Sequence, residues 1–359
     1  MAATRPGRGR RYLNAGLAAL GFVVICALLQ AALPFPEIGV VASHLRYFKK
    51  HGDEFDTLFV GSSLTHHQIS PAIFDRVMAE RGHPTRSFNF GVDGMLVAET
   101  SYVLERILAT RPANLKWVIL EFDELETRPF AGAEGSRRDV YWRDWKRTSL
   151  VLQKLFEHDQ TKSMAFEGEV AVMPEAGRHE MSLRKLLAFH LKLFGKNLAN
   201  VSRRADLAWW GSHFWKPDKM PDDLGPNGDG WVPLNQDIPE ERKPGYRARL
   251  DQEGRGRGDR FITRATERAY REMARGIRNA GATPILIGMP VLSQVRLGFR
   301  PDSGITASVL SFNDEQTYPG LYRPEMHAEE IHLNHRGSEE FSVLVAQQFA
   351  GLLDQKPAR

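Results

Sequence analysis

Three short stretches of the chain hold side chains able to act together. Gly61-Ser62-Ser63-Leu64 follows an apolar run, NFGVDG (89–94) closes another, and HAEEIHLNHRG (327–337) precedes the last amphipathic segment. A serine, a histidine preceded by carboxylates, and glycine-rich turns offering backbone N–H groups are the parts that acyl transfer needs. Two plainer readings stand beside this one. Gly-Ser-Ser after a strand also serves to satisfy the first amides of a helix or to hold a phosphate there. His327, Glu329, Glu330, His332 and His335 mix imidazole with carboxylate as zinc sites do, but their spacing fits no HExxH motif, so no metal is expected.

The elements that must position these residues follow from hydrophobic periodicity. DTLFV (56–60), SFNFGV (87–92), WVILEF (117–122) and PILIG (284–288) read as buried strands. Helical patterns lie at 96–110, 262–279 and 338–353, and a further helix starts at Ser70-Pro71, as N-cap and first-turn proline, and stops before Gly82. Alternating β and α with apolar strands implies a parallel sheet covered on both faces. In such sheets ligands bind at the carboxyl ends of the strands, where Ser62, Ser63, Gly91, Gly94 and Asp123 fall.

Residues 128–259 are far too long for an ordinary βα connection and read as an inserted subdomain or lid. Within them, 182–194 is an amphipathic helix closed by Gly195, suited to docking on the main domain or to lying on a membrane surface. Six of the seven tryptophans, Trp142, Trp145, Trp209, Trp210, Trp215 and Trp231, also fall there, as aromatic core or as platforms for sugar rings. The glycines of 254–259 suggest a flexible connection back to the sheet.

The net charge of +4 belongs to the leader. Arg5, Arg8, Arg10 and Arg11 precede any acidic residue, and without these four the 48 basic side chains balance the 44 acidic ones. No basic surplus is left for a phosphate backbone, so no nucleic-acid partner is expected. One cysteine excludes an intrachain disulfide framework and a CxxC pair. Residues 15–33 contain a single polar side chain, Gln30, and as a helix span about 28 Å, close to the hydrocarbon thickness of a bilayer. The arginines predict a cytoplasmic amino end and an extracytoplasmic body. The anchor is expected to stay uncleaved, with Cys26 packed against lipid or another helix.

Together these blocks resemble the SGNH, or GDSL-like, hydrolase superfamily, over residues 56–122 and roughly 282–353. VGSSL stands where that family has its GDS block, which implies Ser63 as nucleophile. NFGVDG resembles the second block and implies that Gly94 N–H joins Ser63 N–H in the oxyanion hole. EIHLNHRG resembles the last block, with His332 as the implied general base and Glu329 where aspartate is usual. Glu330 is the fallback carboxylate. The resemblance implies a flavodoxin-like three-layer α/β/α fold with one N-terminal transmembrane helix and a mainly helical insert. Its boundaries are a leader at 1–11, an anchor at 12–34, SGNH-like parts at 35–127 and 260–359, and the insert at 128–259.

One departure stands out. The family's third block supplies an asparagine donor, whereas EFDEL (121–125) puts Asp123 near that place. A carboxylate cannot donate, and losing one such donor costs about 3–4 kcal/mol of transition-state stabilisation. Ser62 is the hydroxyl available to substitute. Asn89, Ser62, Asp123, His66 and His67 are the expected substrate contacts, although two histidines opening a surface helix are commonly solvated. The anchor, the GSS variant and the long insert resemble periplasmic proteins of exopolysaccharide acylation, namely the alginate O-acetylation proteins and the D-alanyl transfer protein of teichoic acid modification. That implies an inner-membrane protein with a membrane-bound O-acyltransferase as partner, a cell-envelope glycan or other acyl ester as substrate, and no cofactor. The alternative is a catalytically impaired module that binds glycan or holds an acyltransferase complex together.

Overall fold

Apolar residues at consecutive positions, as in Leu58-Phe59-Val60, Val118-Ile119-Leu120 and Ile285-Leu286-Ile287, require cover on both faces of each strand. The computed structural model, which describes residues 8–33, 35–127, 135–161, 182–204 and 224–355, meets that requirement. The chain begins with α1 (Arg8–Ala32) and α2 (Gly39–His51), then β1 (Thr57–Gly61), α3 (Ser63–Gln68), α4 (Pro71–Glu80), β2 (Ser87–Gly91), α5 (Val97–Leu108) and β3 (Trp117–Glu121). The next described stretches hold α6 (Arg137–Tyr141), α7 (Trp145–Thr161), α8 (Leu183–Leu198), α9 (Val201–Arg204) and α10 (Lys243–Gly254). Last come β4 (Gly258–Phe261), α11 (Arg264–Asn279), β5 (Thr283–Gly288), β6 (Val295–Gly298), β7 (Ser308–Ser311) and α12 (His335–Asp354).

Five strands make one parallel sheet in the order β2-β1-β3-β5-β7. Leu58, Val60, Phe88, Phe90, Val118, Leu120 and Leu286 face one core, which α2, α5, α7 and α11 cover with Phe48, Tyr102, Leu150 and Tyr270 among others. Phe59, Ile119, Ile285, Ile287 and Leu310 face the other, covered by Phe74 of α4, Tyr246 of α10 and Phe341 and Phe349 of α12. The chain is therefore an α/β protein built on a parallel sheet.

α1 is long and apolar enough to cross a membrane, and its apolar side chains are largely exposed. Cys26 is the exception. It is buried, and its carbonyl accepts a hydrogen bond from Asn200 Nδ2 at 2.9 Å in the joint between α8 and α9. Of the two environments expected for Cys26, the structure supplies the neighbouring helix.

Several sequence expectations change. α8 runs through Gly195 to Leu198, because one glycine inside a helix costs only about 1 kcal/mol and the packed face of Leu186, His190 and Leu193 outweighs it. The glycines of 254–259 do not form a loose tether: Gly258 opens β4, which pairs in parallel with β6. β4, β6 and β7 are strands that hydrophobic periodicity does not predict. α12 starts at His335, three residues early, because Asn334 caps it by accepting the Gly337 N–H at 2.9 Å. Ser70 precedes α4 but its hydroxyl makes no cap bond. Described parts of 128–259 do not stand apart, since Tyr141, Trp142, Leu150 and Leu224 join the same core as the sheet. Trp142 and Trp231 are buried and Trp145 is exposed, while Trp209, Trp210 and Trp215, like Arg5 of the leader, lie outside the described residues.

Two glycines are fixed by close approach. A Cβ at Gly91 would enter the backbone of His66, and one at Gly61 would strike Thr65 Oγ1 and Glu121. The ends of β1 and β2 thus press directly on α3, with Glu121 of β3 against Gly61. Gly91→Ala is expected to destabilise the protein by about 1–3 kcal/mol through overpacking, and Gly195→Ala, which meets open space inside α8, to stabilise it by about 0.5–1 kcal/mol. Urea unfolding of the detergent-solubilised chain checks both signs.

Candidate active site

The end of β1 turns abruptly into α3, and hydrogen bonds fix that turn. Ser62 is the N-cap, its Oγ accepting from Leu64 N–H at 3.1 Å. The carboxylate of Glu121, the last residue of β3, accepts from Ser62 N–H at 2.8 Å, from Ser62 Oγ at 2.6 Å and from Thr65 Oγ1 at 2.7 Å. Ser63, half-buried at the first position of α3, lies between residues that these bonds fix.

The loop before α12 brings the second group. Met326 carbonyl accepts from Asn334 N–H, His327 bridges Leu333, and Ala328 N–H donates to the His332 carbonyl at 2.9 Å. This tight return presents His332 Nε2 to Ser63 Oγ at 2.7 Å and His332 Nδ1 to Glu329 Oε1. With Nδ1–H donated to the carboxylate, Nε2 keeps its lone pair for the serine proton. The hydrogen bond from His332 holds the Glu329 carboxyl below the usual range, against the opposing effect of partial burial. Glu330 turns aside and pairs with Arg249. Gly94 lies in the turn after β2 with φ +67°; Gly61 and Gly91 are register partners and Val92 N–H bonds Gly61 carbonyl, so this turn runs beside the serine turn.

His66 and His67 do not sit in solvent. They are 4% and 9% exposed, and both reach Asp93 Oδ1, His66 through Nδ1 at 2.8 Å and His67 through Nε2 at 3.0 Å. Residues 229–232 cover them. Val232 N–H donates to the His66 carbonyl, Trp231 Nε1–H to the His67 carbonyl at 2.9 Å, and His67 Nδ1–H to the Val232 carbonyl at 2.6 Å. Desolvation alone would lower the His67 pKa, but the hydrogen bonds to Asp93 and Val232 and the charge of Asp93 raise it. For Asp93, burial pushes up and the two imidazoles override it, holding the carboxyl well below the carboxylate range. The His67 ring stands edge-on to His332, centroids 5.6 Å apart.

Two expected substrate contacts are committed elsewhere. Asn89 has no exposed surface; its amide donates to the Thr65 and Ile69 carbonyls at 2.7 Å each and its carbonyl accepts from Gly91 N–H. It is a strut between β2 and α3. The Ser62 hydroxyl donates to Glu121, so it is not the spare oxyanion donor. Asp123 lies two residues beyond the strand end: its N–H meets Tyr270 Oη at 2.9 Å and its Oδ1 accepts from Glu124 N–H at 2.7 Å. Glu121, two residues earlier, is the member of EFDEL that touches the serine turn. A carboxylate at the end of a buried strand must find donors, and that signal was present in the sequence. The alternative metal set does not converge. His327 is buried against Tyr246 Oη and the Leu321 carbonyl, Glu330 pairs with Arg249, and His335 reaches Asn235.

No family model and no curated protein matches the chain.

Burial raises the Asp123 pKa from 3.8 to about 7. A carboxyl with a higher pKa folded than unfolded holds its proton better in the fold, so stability falls as pH rises from about 4 through about 7. Asp123→Asn, which keeps the oxygen that accepts from Glu124, is expected to raise the melting temperature at pH 8 and to leave it nearly unchanged at pH 4. Thermal melts at the two pH values measure this.

Proposed function

We propose that the chain is a membrane-anchored serine esterase or O-acyltransferase of the SGNH type that moves an acyl group, such as acetyl, to or from a cell-envelope glycan. The observation that carries this reading is the hydrogen-bonded series Ser63–His332–Glu329, joined across 269 positions of sequence. Its place at the carboxyl ends of parallel strands, where α/β sheets bind ligands, supports it as well. Counted within the main sheet, the strand order is 2-1-3-4-5, the flavodoxin-like order.

In the proposed mechanism His332 Nε2 takes the Ser63 proton as Oγ attacks the acyl carbon. Glu329 keeps Nδ1–H oriented and stabilises the imidazolium that forms. The N–H groups of Ser63 and Gly94 receive the oxyanion. His332 returns its proton to the leaving oxygen, and a sugar hydroxyl or water, deprotonated by the same imidazole, resolves the acyl-enzyme. α1 is the anchor; its arginine flank sets the amino end in the cytoplasm and the catalytic domain outside. A membrane-bound O-acyltransferase is the partner that would deliver the acyl group.

One observation favours a second reading, a glycan-binding or scaffolding module. The Ser62 hydroxyl and the EFDEL carboxylates leave the third oxyanion donor unfilled by the side chains expected to fill it. Labelling separates the two. A fluorophosphonate probe is expected to modify Ser63 in the wild type and not in His332→Ala, with p-nitrophenyl acetate turnover lost in Ser63→Ala. Glu329→Gln should lower turnover by about 10²- to 10⁴-fold, the size of effect seen when a triad carboxylate is neutralised. Folded protein with no labelling and no turnover supports the scaffolding reading instead.

A further inference from the structure

We propose that His66, His67 and Asp93 form a binding site for one divalent transition ion of the zinc class, separate from the Ser63–His332–Glu329 series and next to it. This set is distinct from the histidines and carboxylates of 327–335, which do not converge. Here the donor atoms of the three side chains all lie within 4.8 Å of one another. Two imidazoles and one carboxylate are a ligand set that zinc accepts. Around a tetrahedral ion with bonds of about 2.0–2.1 Å, ligand atoms stand about 3.3 Å apart. The two nitrogens lie 2.8 and 3.0 Å from Asp93 Oδ1, so an ion needs shifts of only a few tenths of an ångström there.

The surroundings are those of a metal ligand shell. His67 donates Nδ1–H to the Val232 carbonyl, which fixes the tautomer and leaves the Nε2 lone pair facing Asp93. A backbone carbonyl on the second nitrogen is the usual support for a ligating histidine. His66 has its Nε2 buried with no hydrogen-bond partner, so Nδ1, the atom facing Asp93, is its one polar contact. The rings pack with centroids 4.6 Å apart and depend on one carboxylate oxygen between them. A single cation between the two nitrogens takes up the His67 Nε2 lone pair and replaces the His66 Nδ1 proton, joining both rings to that oxygen.

The site is also rigid before any ion arrives. Asn89 clamps the Thr65 and Ile69 carbonyls on either side of the two histidines, and the Val232 and Trp231 donors hold the carbonyls of His66 and His67. Preorganised ligands bind without an ordering cost. The Asp93 side chain is 58% exposed, so an ion would reach the two buried imidazoles from the Asp93 side. His67 connects this position to the catalytic series through its edge contact with His332.

The test uses the full chain in detergent, without a histidine tag, and two ions alone, Zn²⁺ and Co²⁺. Elemental analysis after dialysis is expected to give one zinc per chain, and Co²⁺ titration to give saturable visible absorption displaced by Zn²⁺. Asp93→Ala, an exposed position chosen so that folding survives, should weaken binding by at least about tenfold, and His67→Gln should do the same. Zn²⁺ should raise the melting temperature of the wild type and not of either variant. Ser63→Ala should bind as the wild type does, whatever becomes of its esterase activity, so this result and the acyl-transfer result stand or fall separately. Binding to the wild type no tighter than to Asp93→Ala, or unaltered affinity in both Asp93→Ala and His67→Gln, overturns the proposal.

Discussion

Glu121 meets a constraint that the strands impose. β3 is apolar up to its last residue, and a carboxylate placed there, half-buried between two loops, needs donors for both oxygens. It finds them in Ser62 N–H, Ser62 Oγ and Thr65 Oγ1, all in the turn that leaves β1. That set of bonds joins two neighbouring strands at their carboxyl ends and fixes the start of α3. Ser63, His66 and His67 inherit their positions from it, and Gly61 and Gly91 are glycines because β3 and α3 come too near for a Cβ. Removing Glu121 would loosen every group that the site uses from this side of the sheet.

The opposite side of the site is built from distant sequence. Leu234 carbonyl accepts from His335 N–H, His327 carbonyl from Ile238 N–H, and Asp237 Oδ1 from the Asn334 amide at 2.6 Å. Residues 229–238 therefore bind the histidines of α3 at one end and the His332 loop at the other. A segment that sequence length alone marks as an insert is, in its described part, the strap between the two halves of the site.

What could be read in the sequence follows from how much of each signal is local. Strands buried on both faces announce themselves, so β1, β2, β3 and β5 were placed to within a residue or two. β7 was missed because Ser308 and Ser311 bracket only two apolar residues and the strand exists through pairing with β5. The serine and histidine turns were legible because their residue types are rare together. Asp93 was passed over as part of a glycine turn, and Glu121 as the end of a strand, since nothing local tells which distant donors a carboxylate will meet. The burial of His66 and His67, expected as substrate contacts or as solvated residues opening a surface helix, is not legible because the residues that cover them, 229–232, lie more than 160 positions away.

The joint between α1 and the rest of the chain sets a length. α1 ends at Ala32, α2 begins at Gly39, and the stretch between them can reach at most about 20 Å fully extended. The Asn200 bond to Cys26 ties the globular part to the side of α1. With the apolar part of α1 in a bilayer, Ser63 and His332 stay within a bounded distance of the lipid surface and search in two dimensions. Their effective concentration toward anything held in the same membrane is then high.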